Sequence, residues 1–251
     1  MISEKKARER LIFPLDVPSE EEALLWVERL KDYVGMFKIG LELFTACGMK
    51  IVEKIKEKVE TGIFLDLKLC DIPNTVKRTI RVLSEAGVNW VTVHSLSGRE
   101  ALKSATSSAY NGLRIIAVTV LTSLDRADLM ELGFNSELVR DTKEIVFFLS
   151  KLAWRCGCDG VVCSAREVER IKETFPELIT VVPGIRLEEN VERQDDQLRT
   201  ATPYDAVLSG ADYIVVGRPI REAEEPEKVC EKILEDVKRA LEERDAQKRS
   251  G

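Results

Sequence analysis

One histidine, His94, occurs in the whole 251-residue chain. A metal site built on two histidines is therefore excluded within one chain. General acid–base work must fall to Asp, Glu, Lys, Cys or Tyr unless His94 does it alone. The six cysteines contain no CxxC pair, and Cys156 with Cys158 makes only a CxC. Reduced thiols are expected rather than disulfides or structural zinc. No basic block offsets the net charge of −6, so the electrostatic footprint of a nucleic-acid binder is missing. No run of about 18 apolar residues exists, so no membrane-spanning helix is expected. The charged start MISEKKARER lacks the apolar run of a signal peptide. The expectation is a cytoplasmic protein with neither nucleic-acid nor membrane partner. No Pro-, Gly- or Ser-rich linker divides the chain. One domain over 1–251 is expected, with a short charged N-terminal segment and a polar tail that frays after about Glu242.

What is present is an alternation. Short runs rich in Val and Ile recur at 11–16, 36–40, 63–69, 90–94, 114–121, 160–164, 178–184 and 213–218, each followed by an amphipathic segment. Continuous apolar runs are the mark of parallel strands covered on both faces. Eight strand–helix units in about 250 residues read as an α/β protein with a single (β/α)8 TIM barrel, with an open doubly wound sheet as the alternative. Helices are predicted from Ser19 to Asp32, from the second strand to about Glu60, and from Pro73 to Gly87. Pro73 suits a first turn and Gly87 a C-terminal end.

In such a barrel the chemistry lies where the strands end. The ends supply Asp16, Lys38, Asp66 with Lys68, His94, Thr119 to Ser123, Cys163 with Ser164, Pro183 to Arg186, and Gly217 with Arg218. The stretch FLDLKLCDIPNTV, 64–76, is the most informative. Alternation puts Ile63, Leu65, Leu67 and Leu69 toward the helices, and Phe64, Asp66 and Lys68 toward the barrel interior. A buried ion pair, with Asp71 capping the helix that Pro73 opens, is the plain structural reading. Asp16 and Lys38 aim at the same rim, and four or five interleaved charges there are hard to justify by stability. Across the rim, VVPGIR and VVGRPI follow strands 7 and 8, where barrels often bind phosphate. Their glycines let backbone approach an anion, and Arg218 supplies a bidentate donor. His94 reads as a hydrogen-bonded structural residue.

DLKLCDIPNTV resembles the DxKxxDxxxT signature of the orotidine 5′-phosphate decarboxylase family, closest to its bacterial branch. The resemblance continues through FKIG, LTS, VPGIR, DDQ, TP and VVGRPI, and so covers nearly the whole chain. A slightly longer loop between Arg186 and Gln197 is the one departure. The resemblance implies conversion of orotidine 5′-monophosphate to UMP and carbon dioxide in de novo pyrimidine biosynthesis, with no metal and no organic cofactor. It implies that Lys68 stabilises the charge developing at C6 and protonates it. Asp66 then holds Lys68 charged and aimed, and Asp71 stands near the departing carboxylate. Lys38 and Asp16 hold the ribose hydroxyls, and Thr122 and Ser123 meet the pyrimidine. Arg186, Gln197, Gly217 and Arg218 grip the phosphate, and Pro183 is a further substrate-binding residue. A homodimer is implied as well, with Asp71 and Thr75 reaching the neighbouring subunit's site. Two rivals stay open: a magnesium-dependent sugar-phosphate decarboxylase or aldolase of the same superfamily, and a non-catalytic phosphate-ligand binder.

Overall fold

The computed structural model describes residues 2–187 and 200–250. Eight parallel strands close into a barrel in chain order: β1 (Leu11–Pro14), β2 (Met36–Ile39), β3 (Gly62–Leu69), β4 (Trp90–His94), β5 (Arg114–Val118), β6 (Gly160–Val162), β7 (Ile179–Val182) and β8 (Tyr213–Val215). The open doubly wound sheet is thereby set aside. Most strands stop one to three residues short of the predicted runs. Beyond Val118, for example, Thr119 turns its hydroxyl to the Val162 carbonyl at 2.7 Å and leaves the ladder. The residues released in this way form the rim.

Helices cover the outside. Those described are α1 (Glu4–Arg8), α2 (Glu20–Leu30), α3 (Leu41–Cys47), α4 (Lys50–Lys56), α5 (Pro73–Glu85), α6 (Arg99–Thr106), α7 (Arg126–Glu131), α8 (Thr142–Arg155), α9 (Ala165–Thr174), α10 (Pro203–Leu208), α11 (Arg218–Arg221) and α12 (Pro226–Ser250). Ser19 caps α2 by accepting from the Glu22 N–H. The helix predicted from the second strand to Glu60 is two, because Gly48 turns to φ 64° between α3 and α4. The charged N-terminal segment is ordered as α1, which buries Ala7. The tail does not fray after Glu242: it continues α12 to Ser250. Glu242 accepts from the Ile2 N–H at 3.2 Å, Glu243 accepts from the Tyr204 hydroxyl, and Arg244 donates to the Val207 carbonyl at 3.1 Å. These contacts tie the polar turns down.

Two cores result. Side chains between strands and helices form the larger one. Ile12, Met36, Phe64, Trp90, Ile116, Val181 and Val215 fill the barrel itself. The Trp90 ring packs edge-on against Phe64 at 5.6 Å and Tyr213 at 4.6 Å, which plugs the barrel. Trp90 and Tyr213 are the first residues of their strands, so the plug lies toward the N-terminal end of the barrel.

The N-terminal pole carries a repeated device. The residue before each even-numbered strand donates its N–H to the preceding odd strand: Gly35 to Leu11, Asn89 to Ile63, Asp159 to Ile115 and Asp212 to Thr180. In the last three the side chain also accepts the N–H of that same partner, at 2.8, 2.8 and 3.0 Å respectively. Gly35 is the exception because a Cβ there would lie 2.6 Å from the Glu9 Cα.

Candidate active site

A cavity of about 490 Å³ opens at the C-terminal end of the barrel. Its apolar floor includes Phe64, Val181 and Val215, and charged groups stand on its walls. Asp16, Lys38, Asp66 and Lys68 line one side, brought together from three adjacent strand ends. Their ion pairs run in sequence. Lys38 Nζ lies 3.2 Å from Asp16 Oδ1 and 3.4 Å from Asp66 Oδ2, and Lys68 Nζ donates to Asp66 Oδ2 at 2.8 Å. Gly40 makes room for the first pair, since a Cβ there would stand 3.0 Å from Asp16 Oδ1.

Burial alone would raise the Asp66 carboxyl, but Lys38, Lys68 and the hydrogen bonds from Lys68 and Thr92 pull it below its usual range. Burial alone would likewise lower the Lys38 ammonium, and Asp66 and Asp16 lift it above an ordinary lysine. Both groups thus stay charged through the neutral range. What Asp66 adds to stability is lost as pH falls through its depressed pKa; what Lys38 adds is lost as pH rises through its elevated one.

Lys68 reaches this array by an unusual path. Between Leu65 and Leu69, β3 has three residues where β4 has only Thr92. Lys68 takes up the excess at φ 47°, one of two non-glycine residues with positive φ among the described residues. A backbone held there costs about 1–3 kcal/mol, and such strain concentrates at functional sites. Simple alternation predicts the inward face of Lys68 correctly but not this left-handed twist. Leu67 and Leu69 pack on the helix-side core as expected.

The far wall carries Pro183, Gly184, Arg186, Gly217 and Arg218, with Thr122 on the side between. Gly217 meets the end of β1 closely: a Cβ would sit 2.8 Å from Pro14 Cγ. Ser123 is exposed and does not line the cavity, and the same holds for Asp71 and Thr75. Asp71 does not cap α5. Ile72 is the N-cap residue, without a side-chain bond, and Asp71 Oδ1 accepts the Ile72 N–H at 2.7 Å. Gln197 lies outside the described residues. His94 is also outside the cavity lining; its Nδ1 accepts the Leu96 N–H at 3.3 Å, and burial with the Lys68 charge lowers its pKa, keeping it neutral. Ser164 is occupied as the cap of α9, paired with Glu167.

Sequence reasoning missed two polar residues. Thr92 is fully buried and donates to Asp66 Oδ1 at 3.0 Å. Arg221 lines the cavity and donates to the Asp16 carbonyl at 2.9 Å. The signal for Thr92 was its place two residues after Trp90 on the inward face; Arg221 offered none beyond its nearness to Arg218. Among the described residues no group of three or more His, Cys, Asp or Glu side chains could hold a metal ion.

Taken together, the cavity defines a barrel enzyme class: an alternating acid–lysine string facing a Gly- and Arg-rich wall. The chain belongs to the orotidine 5′-phosphate decarboxylase / HUMPS family, whose pattern it matches over residues 9–233. It is 39% identical over 242 residues to the orotidine 5′-phosphate decarboxylase of Desulfosudis oleivorans, covering 96% of this chain and 97% of that protein. It is 44% identical to that of Wolbachia pipientis, covering 90% and 98%. Among solved structures it resembles orotidine 5′-phosphate decarboxylase from Lactobacillus acidophilus, with a TM-score of 0.77 and 33% identity over 90% of this chain and 98% of that one.

Proposed function

We propose that this protein decarboxylates orotidine 5′-monophosphate to UMP, as a cytoplasmic homodimer. The observation that carries the reading is the string Asp16–Lys38–Asp66–Lys68 at one wall of a cavity whose other wall holds Arg186 and Arg218. In the reaction the bond from C6 to the carboxylate breaks, the electron pair stays on C6, and carbon dioxide leaves. No neighbouring carbonyl delocalises that pair, so fixed charge must stabilise it. Lys68 supplies the ammonium and then the proton to C6. Asp66 keeps Lys68 aimed, Lys38 and Asp16 hold the ribose, and Thr122, which lines the cavity, meets the pyrimidine. Arg218, Arg186 and Gly217 form the phosphate end. Binding energy gathered there is spent on the reacting end. Asp71 and Thr75 serve the neighbouring subunit's site; their exposure, outside their own cavity, supports that division.

The geometry disfavours the magnesium-dependent rival. Asp66 Oδ2 faces Lys68 at 2.8 Å and Lys38 at 3.4 Å, so two ammonium groups stand where a metal ion on that oxygen would lie and would repel it. The ultraviolet absorbance change on loss of orotidine 5′-monophosphate tests the reading. Full activity is expected after exhaustive chelation. No turnover, or turnover of a sugar phosphate only with added magnesium, would overturn it.

The phosphate end has its own test. Arg218→Ala is expected to lower kcat/KM by at least about 10- to 100-fold, the value of one charge-assisted hydrogen bond. Its melting temperature should stay near that of the wild type, because Arg218 starts a one-turn helix at the rim. An unchanged kcat/KM would show that VVGRPI is only a turn.

A further inference from the structure

The hydroxyl of Thr92 joins the strained backbone to the charge array. Asp66, Leu67 and Lys68 stand opposite this single residue of β4. Such a bulge strands backbone groups that would otherwise pair in the ladder. The Lys68 N–H finds Thr92 Oγ1 at 2.7 Å, and the same hydroxyl donates to Asp66 Oδ1 at 3.0 Å. A hydroxyl has one proton to donate, so its donor goes to the carboxylate and a lone pair receives Lys68. Thr92 is 0% exposed, so water does not replace either bond.

We propose that Thr92 is a positioning residue for the reaction. It fixes the rotation of the Asp66 carboxylate and holds Lys68 at φ 47°, so that the ammonium meets Asp66 Oδ2 and faces the cavity. Thr92 does not itself line the cavity, and acts through these two residues. The inference deepens the decarboxylase reading of the same site and rests on it.

Thr92→Val keeps the shape and deletes the hydroxyl; Thr92→Ser keeps the hydroxyl. In Thr92→Val kcat is expected to fall about 10- to 100-fold, the cost of a buried hydrogen-bond pair lost at the reacting end. KM should stay within about two-fold, because the phosphate and ribose contacts lie elsewhere. Thr92→Ser should keep kcat within about three-fold of the wild type. If Thr92→Val fails to fold, Thr92→Ala removes the same hydroxyl without steric demand and carries the same expectation. A wild-type kcat without the hydroxyl, or an equal loss in Thr92→Ser, would overturn the proposal. Crystal structures of both variants give a readout independent of turnover. Lys68 should leave the left-handed region in Thr92→Val and keep it in Thr92→Ser; an unmoved Lys68 in Thr92→Val would also overturn the proposal. A wild type inert toward orotidine 5′-monophosphate would sink the decarboxylase reading instead, with the Lys68 geometry still deciding the role of Thr92.

Discussion

Lys68→Ala is expected to lower kcat by at least about 10⁴-fold while the barrel stays folded. Two separate contributions vanish together. A positioned general acid is worth roughly 10²–10⁴-fold, and a preorganised charge at the developing carbanion roughly 10²–10³-fold. The fold should survive because Asp66 keeps Lys38 at 3.4 Å and Thr92 at 3.0 Å, so no buried carboxylate is left unpaired. Thermal unfolding adds a check that activity cannot give. Position 68 sits at φ 47°, where glycine is at ease and alanine is not, so Lys68→Gly should be more stable than Lys68→Ala by about 1 kcal/mol. Residual decarboxylation within about 10-fold of the wild type would remove Lys68 from its role as proton donor. Equal stability of the two variants would mean that the left-handed twist is not held once the lysine side chain is gone.

Mixing two inactive proteins is expected to restore activity. Lys68→Ala and Asp71→Ala should each be nearly inactive alone, the second because, in the proposed shared site, neither site of the dimer then receives Asp71 from its partner. Free exchange makes half of the dimers mixed. In a mixed dimer both lesions meet in one site and leave the other complete, so recovery should approach about a quarter of wild-type activity. The figure follows from two-fold symmetry, in which each subunit lends the same patch to its partner. Native mass spectrometry reports whether heterodimers have formed. Their presence without recovered activity would put Asp71 in its own subunit's site and refute the shared arrangement. That Asp71 and Thr75 are exposed and outside their own cavity favours recovery.

Strand order and strand number were legible because each parallel strand is covered on both faces, and such strands are continuous apolar runs. Strand ends were less so. They depend on single groups such as the Thr119 hydroxyl, which finds the Val162 carbonyl rather than carrying β5 to residue 121. The tail after Glu242 looked unanchored because its anchors, Ile2, Tyr204 and Val207, are distant in sequence. Asp66 and Lys68 stood out because charge inside an apolar run is costly unless it is used. Thr92 did not, since threonine is at home in any strand and its role appears only with the bulge beside it. The misplaced expectation that Asp71 caps α5 came from its nearness to Pro73; the cap position falls one residue later, at Ile72.

The clamps at the plugged pole have a bearing on chemistry they never touch. Side chains alternate along a strand, so a slip of one residue would carry Asp66 from the cavity to the helix layer. Asn89 holds Ile63, three positions before Asp66 on the same strand, by both its N–H and its carbonyl. The plugged end thus indexes the open end: a carboxamide beneath the floor decides which way a carboxylate above it points. Machinists would call Asn89 a datum, the surface from which every other dimension of the part is measured.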